Sequence, residues 1–158
     1  LFALVWVVVQ VGVGLAIMAG GGGTADPGYP LVARNITGVL AFQALLSGTS
    51  EEILFRGLVM TGLAALWRPV FDDERALGWA ATIGATIVFV AGHVGFTLAP
   101  PAITHVNLPQ LGTAAVFGVF YGRLFWATRS LVGPIVAHGL LNVIITLSLY
   151  GLFAVFGR

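Results

Sequence analysis

A chain of 158 residues that is 58% hydrophobic and only 8% charged, with a mean hydropathy of +1.01, has too little polar surface for an ordinary soluble domain. A net charge of +1 excludes the basic footprint of a nucleic-acid binder, and the lack of cysteine excludes disulfides and thiolate metal sites. The apolar residues fall into runs of membrane-spanning length. The expectation is an all-α, polytopic transmembrane helical bundle, one domain over 1–158, with membrane lipid as its solvent. A start inside an apolar run, without Met, reads as a fragment of a longer chain.

Five apolar segments follow in chain order. Leu1 to Ala19 is apolar except for Gln10. At 1.5 Å per residue it reaches about 28 Å, roughly one hydrocarbon core. Gly20 to Asn35 opens with four glycines and carries Pro27, Gly28 and Pro30, which is loop punctuation. Ile36 to Trp67 is long for one span. Arg68 to Leu77 holds Asp72, Asp73, Glu74 and Arg75 and belongs in water or headgroups. Gly78 to Leu98 is the third span. Ala99 to Pro109, with three prolines and His105, reads as a surface connection. Gln110 to Trp126 and Leu131 to Phe156 complete the set. Arg68, Arg75, Arg123 and Arg129 fall on one side of this arrangement, and Arg34 and Arg158 on the other. The excess places the first group in the cytoplasm.

Charge is so scarce that its placement is informative. An ionisable side chain at membrane depth costs several kcal/mol unless paired, so it is a functional candidate. Glu51 and Glu52 lie near the middle of the second segment. Residues four apart share a helix face, so Glu52 faces Arg56 while Glu51 points elsewhere. A bland reading makes this one buried ion pair with a stray acid. A functional reading holds Glu52 ionised and leaves Glu51 to a cavity, as a general base or acid. Phe89 and His93 repeat the spacing on the third segment, with Gly92 and Gly95 beside the histidine. His138 and Asn142 repeat it on the last, offering hydrogen bonds to an oxyanion or a water. Interhelical polar clamps are the plain alternative for both. Gly118 and Gly122 form a G-x-x-x-G whose reading is helix packing.

The sequence Glu51-Glu52-Ile53-Leu54-Phe55-Arg56-Gly57 resembles the E-E-x-x-x-R motif of the CPBP intramembrane proteases, also called the Abi or type II CAAX prenyl endopeptidase family. Phe89 to His93 is similar to the family's F-x-x-x-H, and His138 to Asn142 to its H-x-x-x-N. Thr128 to Leu131, with Pro134 and Ile135, resembles the lead-in to that last motif. The resemblance covers about Leu40 to Val143. It implies an intramembrane endopeptidase acting on a membrane-associated protein or peptide, either CAAX-type or in bacterial peptide processing and self-immunity. It implies further that Glu51 and His93 activate a water, that Arg56 fixes Glu52, and that His138 and Asn142 stabilise the oxyanion. The family is commonly labelled a metalloprotease. Zn2+ on Glu51, His93 and His138 and a metal-free Glu/His mechanism fit the same groups equally, so the cofactor is left open. The expected location is a prokaryotic cytoplasmic membrane, with the oligomeric state open. Two rival readings are a transporter with a Glu/His proton relay and a catalytically silent scaffold. A transporter should show repeats or paired broken helices, and the sequence has none.

Overall fold

The computed structural model describes residues 2–20 and 27–156. Most of the glycine loop, 21–26, and Arg158 lie outside them. The chain is mostly helical, as its apolar runs require: without water to satisfy them, backbone N–H and C=O groups must bond within a segment. Helix α1 runs over Phe2–Ala19 and α2 over Ala33–Phe42. A π-wound stretch at Gln43–Ser47 leads into α3, Gly48–Glu52. A second π stretch, Ile53–Met60, leads into α4, Thr61–Trp67. The backbone is therefore helical throughout 33–67, and the double glutamate lies between two π-wound turns. Such turns are rare and recur at functional sites.

Helix α5 covers Glu74–Ala91. It starts inside the charge run, four residues before the third apolar segment at Gly78. The Asp73 carboxylate accepts from the backbone N–H of Arg75 and Ala76 at 3.1 and 3.0 Å, satisfying two orphan donors. The third apolar segment does not continue to Leu98. The helix stops at Ala91, and an antiparallel hairpin follows: β1, Gly95–Leu98, pairs with β2, Pro101–His105. The chain remains mostly helical, and the hairpin corrects the extension of the third span to Leu98 and the reading of 99–109 as plain connection. Gly92 and Gly95 weaken helical winding, while Phe96, Thr97, Ile103 and Thr104 favour extended backbone. Helix α6, Leu108–Thr128, is capped by Asn107, whose side chain accepts from the Gln110 N–H at 3.1 Å. Helix α7 is Val132–Phe156. Among the described residues, α5 and α7 are the two helices long and apolar enough to cross a membrane.

The chain divides into two compact units, Thr49–Ala137 and Leu1–Gly48 with His138–Arg158. The core of the first is built by α4, α5 and α6 around Met60, Ala64, Leu77, Ala81, Ala85 and Trp126. Helices α5 and α6 approach closely because Gly118 and Gly122 face Thr86 and Thr82. A methyl group at either glycine would come within 2.7 or 2.8 Å of a threonine Cγ2. The threonine hydroxyls donate back to carbonyls four residues earlier, Thr82 to Gly78 at 2.7 Å and Thr86 to Thr82 at 2.8 Å. At the charged end Glu74 accepts from Arg68 at 3.0 Å and from Arg129 at 2.8 Å, and Arg123 lies 4.4 Å from the Trp79 ring centre.

In the second unit, Tyr29 and Tyr150 share a hydroxyl hydrogen bond of 2.6 Å. The 43–48 stretch meets the start of the His138–Arg158 segment almost backbone to backbone. A methyl group on Gly139 would lie 2.5 Å from the Ala44 carbonyl oxygen, and one on Gly48 would lie 3.0 Å from the Gly139 nitrogen. Only glycine permits that approach.

Candidate active site

Two neighbouring acids receive opposite environments. Glu52 and Arg56 are fully buried, at 0% and 1% exposure, and joined at 2.9 Å. The guanidinium makes three kinds of contact. Nη1 donates to Glu52, Nη2 donates to the Gly118 carbonyl at 3.0 Å, and its plane lies 4.6 Å from the Phe89 ring centre. The Tyr121 ring lies 5.5 Å away on the same side chain. A buried charge is tolerable only with such compensation. The glycine at 118 therefore serves both the helix packing and Arg56, whose carbonyl partner it brings near. Sequence spacing could not reveal that second role.

Glu51 is only partly buried. It lines an open cleft of about 510 Å³ together with Phe55, Gly92, His93, Val94, Gly95, His105 and Gln110. His93 sits just beyond the end of α5, where Nδ1 lies 2.8 Å from the Phe89 carbonyl oxygen. A carbonyl only accepts, so Nδ1 carries the proton. The other ring nitrogen, Nε2, is then a lone pair in the neutral imidazole. Phe89 braces the ring edge-on at 4.7 Å and is itself braced by Phe55 at 5.0 Å. Phe89 thus touches both the arginine of the buried pair and the histidine of the cleft.

Of the six residues the sequence singles out, the cleft gathers Glu51 and His93. Glu52 and Arg56 form the buried pair and do not line it. His138 and Asn142 belong to the other unit, on α7. His138 is buried at 6% exposure, and the Asn142 carboxamide donates to the Ser47 hydroxyl at 3.3 Å. Sequence reasoning missed two cleft residues. His105 was expected at the surface, and it is exposed, yet hairpin register carries it to the cleft wall. Gln110 is set there by the Asn107 cap. The available signal was the pair of β-favouring stretches around Ala99-Pro100-Pro101, a hairpin pattern.

Among the described residues, no group of three or more His, Asp or Glu side chains is gathered closely enough to hold a metal ion. The three titratable side chains of the cleft, Glu51, His93 and His105, do not make such a group. What the cleft does offer is a carboxylate beside an imidazole with a free lone pair, in a half-dry site open to water.

Residues 33–144 match the family type II CAAX prenyl endopeptidase Rce1-like. The chain belongs to this family. The match runs from the start of α2 into α7 and includes the Glu51–Arg56, Phe89–His93 and His138–Asn142 motifs. It is a family of membrane proteases, so the chain is a membrane protein with a peptide or protein substrate. No curated protein and no solved structure matches the chain.

Proposed function

We propose that the protein is a multi-pass intramembrane endopeptidase of CAAX type, in which Glu51 and His93 activate water for attack on a peptide carbonyl. The observation that carries the reading is the division of labour between the adjacent acids. Arg56 claims Glu52, and Glu51 shares an open cleft with an imidazole whose tautomer is fixed. The Glu51 carboxylate takes the water proton, and the Nε2 lone pair of His93 orients that water. The attacking oxygen leaves an oxyanion on the former carbonyl. By the family pattern, His138 and Asn142 donate hydrogen bonds to it. Glu52 and Arg56 hold the helix that presents Glu51 and touch no reacting atom.

The five helical runs, 2–19, 33–67, 74–91, 108–128 and 132–156, are assigned as five membrane crossings in one protease domain. Exposed Leu58, Ile87, Leu140, Leu147 and Val155 on three of them suit contact with lipid.

The test is cleavage of a prenylated peptide ending in Cys-aliphatic-aliphatic-X by purified protein in detergent. Wild type should cleave, Glu51→Ala should not, and a metal chelator should leave the wild-type rate unchanged. Cleavage that survives Glu51→Ala removes the acid from the mechanism. Loss of cleavage in chelator removes the metal-free form of it.

A further inference from the structure

We propose that His105, outside all three family motifs, is the acid that protonates the departing amine. The inference deepens the protease reading and rests on it. Peptide hydrolysis needs two proton transfers. One removes a proton from water, and the other supplies a proton to a nitrogen that cannot leave as an anion. Glu51 and His93 are equipped for the first. His93 already spends its one neutral-form N–H on the Phe89 carbonyl, at 2.8 Å. Its remaining nitrogen accepts rather than donates. The cleft holds one more imidazole that can hold and donate a proton, that of His105. Glu51, His93 and His105 are the titratable side chains that line it.

Hairpin geometry brings His105 there. In the register of β1 and β2, Gly95 pairs with His105, two residues past His93. A methyl group at position 95 would lie 2.9 Å from the His105 Cβ and 3.0 Å from the Thr104 hydroxyl oxygen. The missing side chain at Gly95 therefore lets β2 close over β1 and sets the depth of His105 in the cleft. His105 is otherwise exposed, so solvent reprotonates it between turnovers.

The step balances without another reactant. The water oxygen bonds to the carbonyl carbon and its proton passes to Glu51. The C–N bond then breaks, its electron pair stays on nitrogen, and that nitrogen takes the His105 proton. Glu51 returns its proton to solvent, and His105 takes one back.

A change of leaving group tests the assignment. Two farnesylated CAAX peptides are compared, one with the normal scissile amide and one with a thioester at that bond. A thiolate departs without protonation. His105→Gln should lower kcat on the amide about 100-fold, within the usual range for general acid catalysis, and leave thioester turnover within about twofold. Gly95→Ala, which pushes against His105, should show the same bias more weakly. Equal loss on both substrates, or loss on neither, overturns the assignment. Glu51→Gln should abolish both and marks failure of the water-activating step. A wild-type protein that cleaves neither substrate ends the protease reading and this assignment together. Because His105 is exposed, the thermal midpoint of His105→Gln should match wild type.

Discussion

Arg56 reaches Glu52 at 2.9 Å with both side chains sealed from solvent, while Glu51, one residue earlier, opens onto the cleft. The two acids should therefore fail differently. Glu52→Gln strands a buried guanidinium and should cost about 3–5 kcal/mol of stability. Glu51→Gln removes only a base and should leave the thermal midpoint near wild type while abolishing cleavage. Melts of the two purified variants, paired with cleavage rates, check this. Equal melts with equal residual activity contradict the division.

The α5–α6 contact gives a second expectation. Gly118→Ala places a methyl group 2.7 Å from the Thr86 Cγ2 and 3.3 Å from a Phe89 ring carbon. Overpacking of this kind costs about 1–3 kcal/mol. It also displaces the carbonyl that accepts from Arg56, so activity should fall with stability. Thr86→Ser removes the offending methyl and keeps the hydroxyl bond to Thr82. The double variant Gly118→Ala/Thr86→Ser should regain part of the lost thermal midpoint. No recovery would place the damage elsewhere.

Much of this was legible because helical spacing is local. Glu52 with Arg56, and Phe89 with His93, follow from a four-residue repeat. The start of α5 does not: the charge run reads as loop up to Leu77, whereas Asp73 caps a helix that begins at Glu74. The hairpin was not legible in the same way. Its strands are four and five residues long, and strand pairing is non-local, so prolines and glycines in 95–105 read as a connection. His105 was lost with it, because a strand residue's neighbours depend on register rather than on spacing. The π-wound turns flanking Glu51 and Glu52 leave no composition signal. Likewise, the Gly139 contact with Ala44 becomes visible only when two distant segments are placed side by side.

At the C-terminal end of α6, Arg129 adopts the left-handed conformation, with φ of 53°. It is the one non-glycine residue among those described with positive φ. Two contacts hold it there. Its guanidinium bonds Glu74 at 2.8 Å and lies 4.0 Å from the Trp126 ring centre. Arg129 and Glu74 are both half exposed, where an ion pair contributes ~0–1 kcal/mol, whereas Trp126 belongs to the core. Arg129→Ala loses the contacts and keeps the backbone cost. Arg129→Gly loses the contacts and relieves it. The glycine variant should be the more stable of the two by about 1 kcal/mol. Thermal unfolding of both, at low and high salt, reads this directly. An alanine variant as stable as the glycine variant would mean that the cap is not strained.

Asn142 separates a catalytic donor from a structural clamp. Its carboxamide has two N–H groups, and one donates to the Ser47 hydroxyl at 3.3 Å. The second is available to an oxyanion. If Asn142 donates there, Asn142→Ala should lower kcat about 10²–10³-fold, because such a bond strengthens mainly in the transition state. KM should change little. Ser47→Ala removes the partner that orients the amide without removing the donor, and should produce a smaller loss in kcat, about 10-fold. A clamp predicts another pattern. Both variants would then lower the thermal midpoint by similar amounts, each by the ~1 kcal/mol of one hydrogen bond, while cleavage of folded protein continued at the wild-type rate. Kinetics and melts on the same two variants distinguish these cases. Wild-type turnover by Asn142→Ala would remove it from the reaction and leave His138 as the sole oxyanion donor assigned on α7.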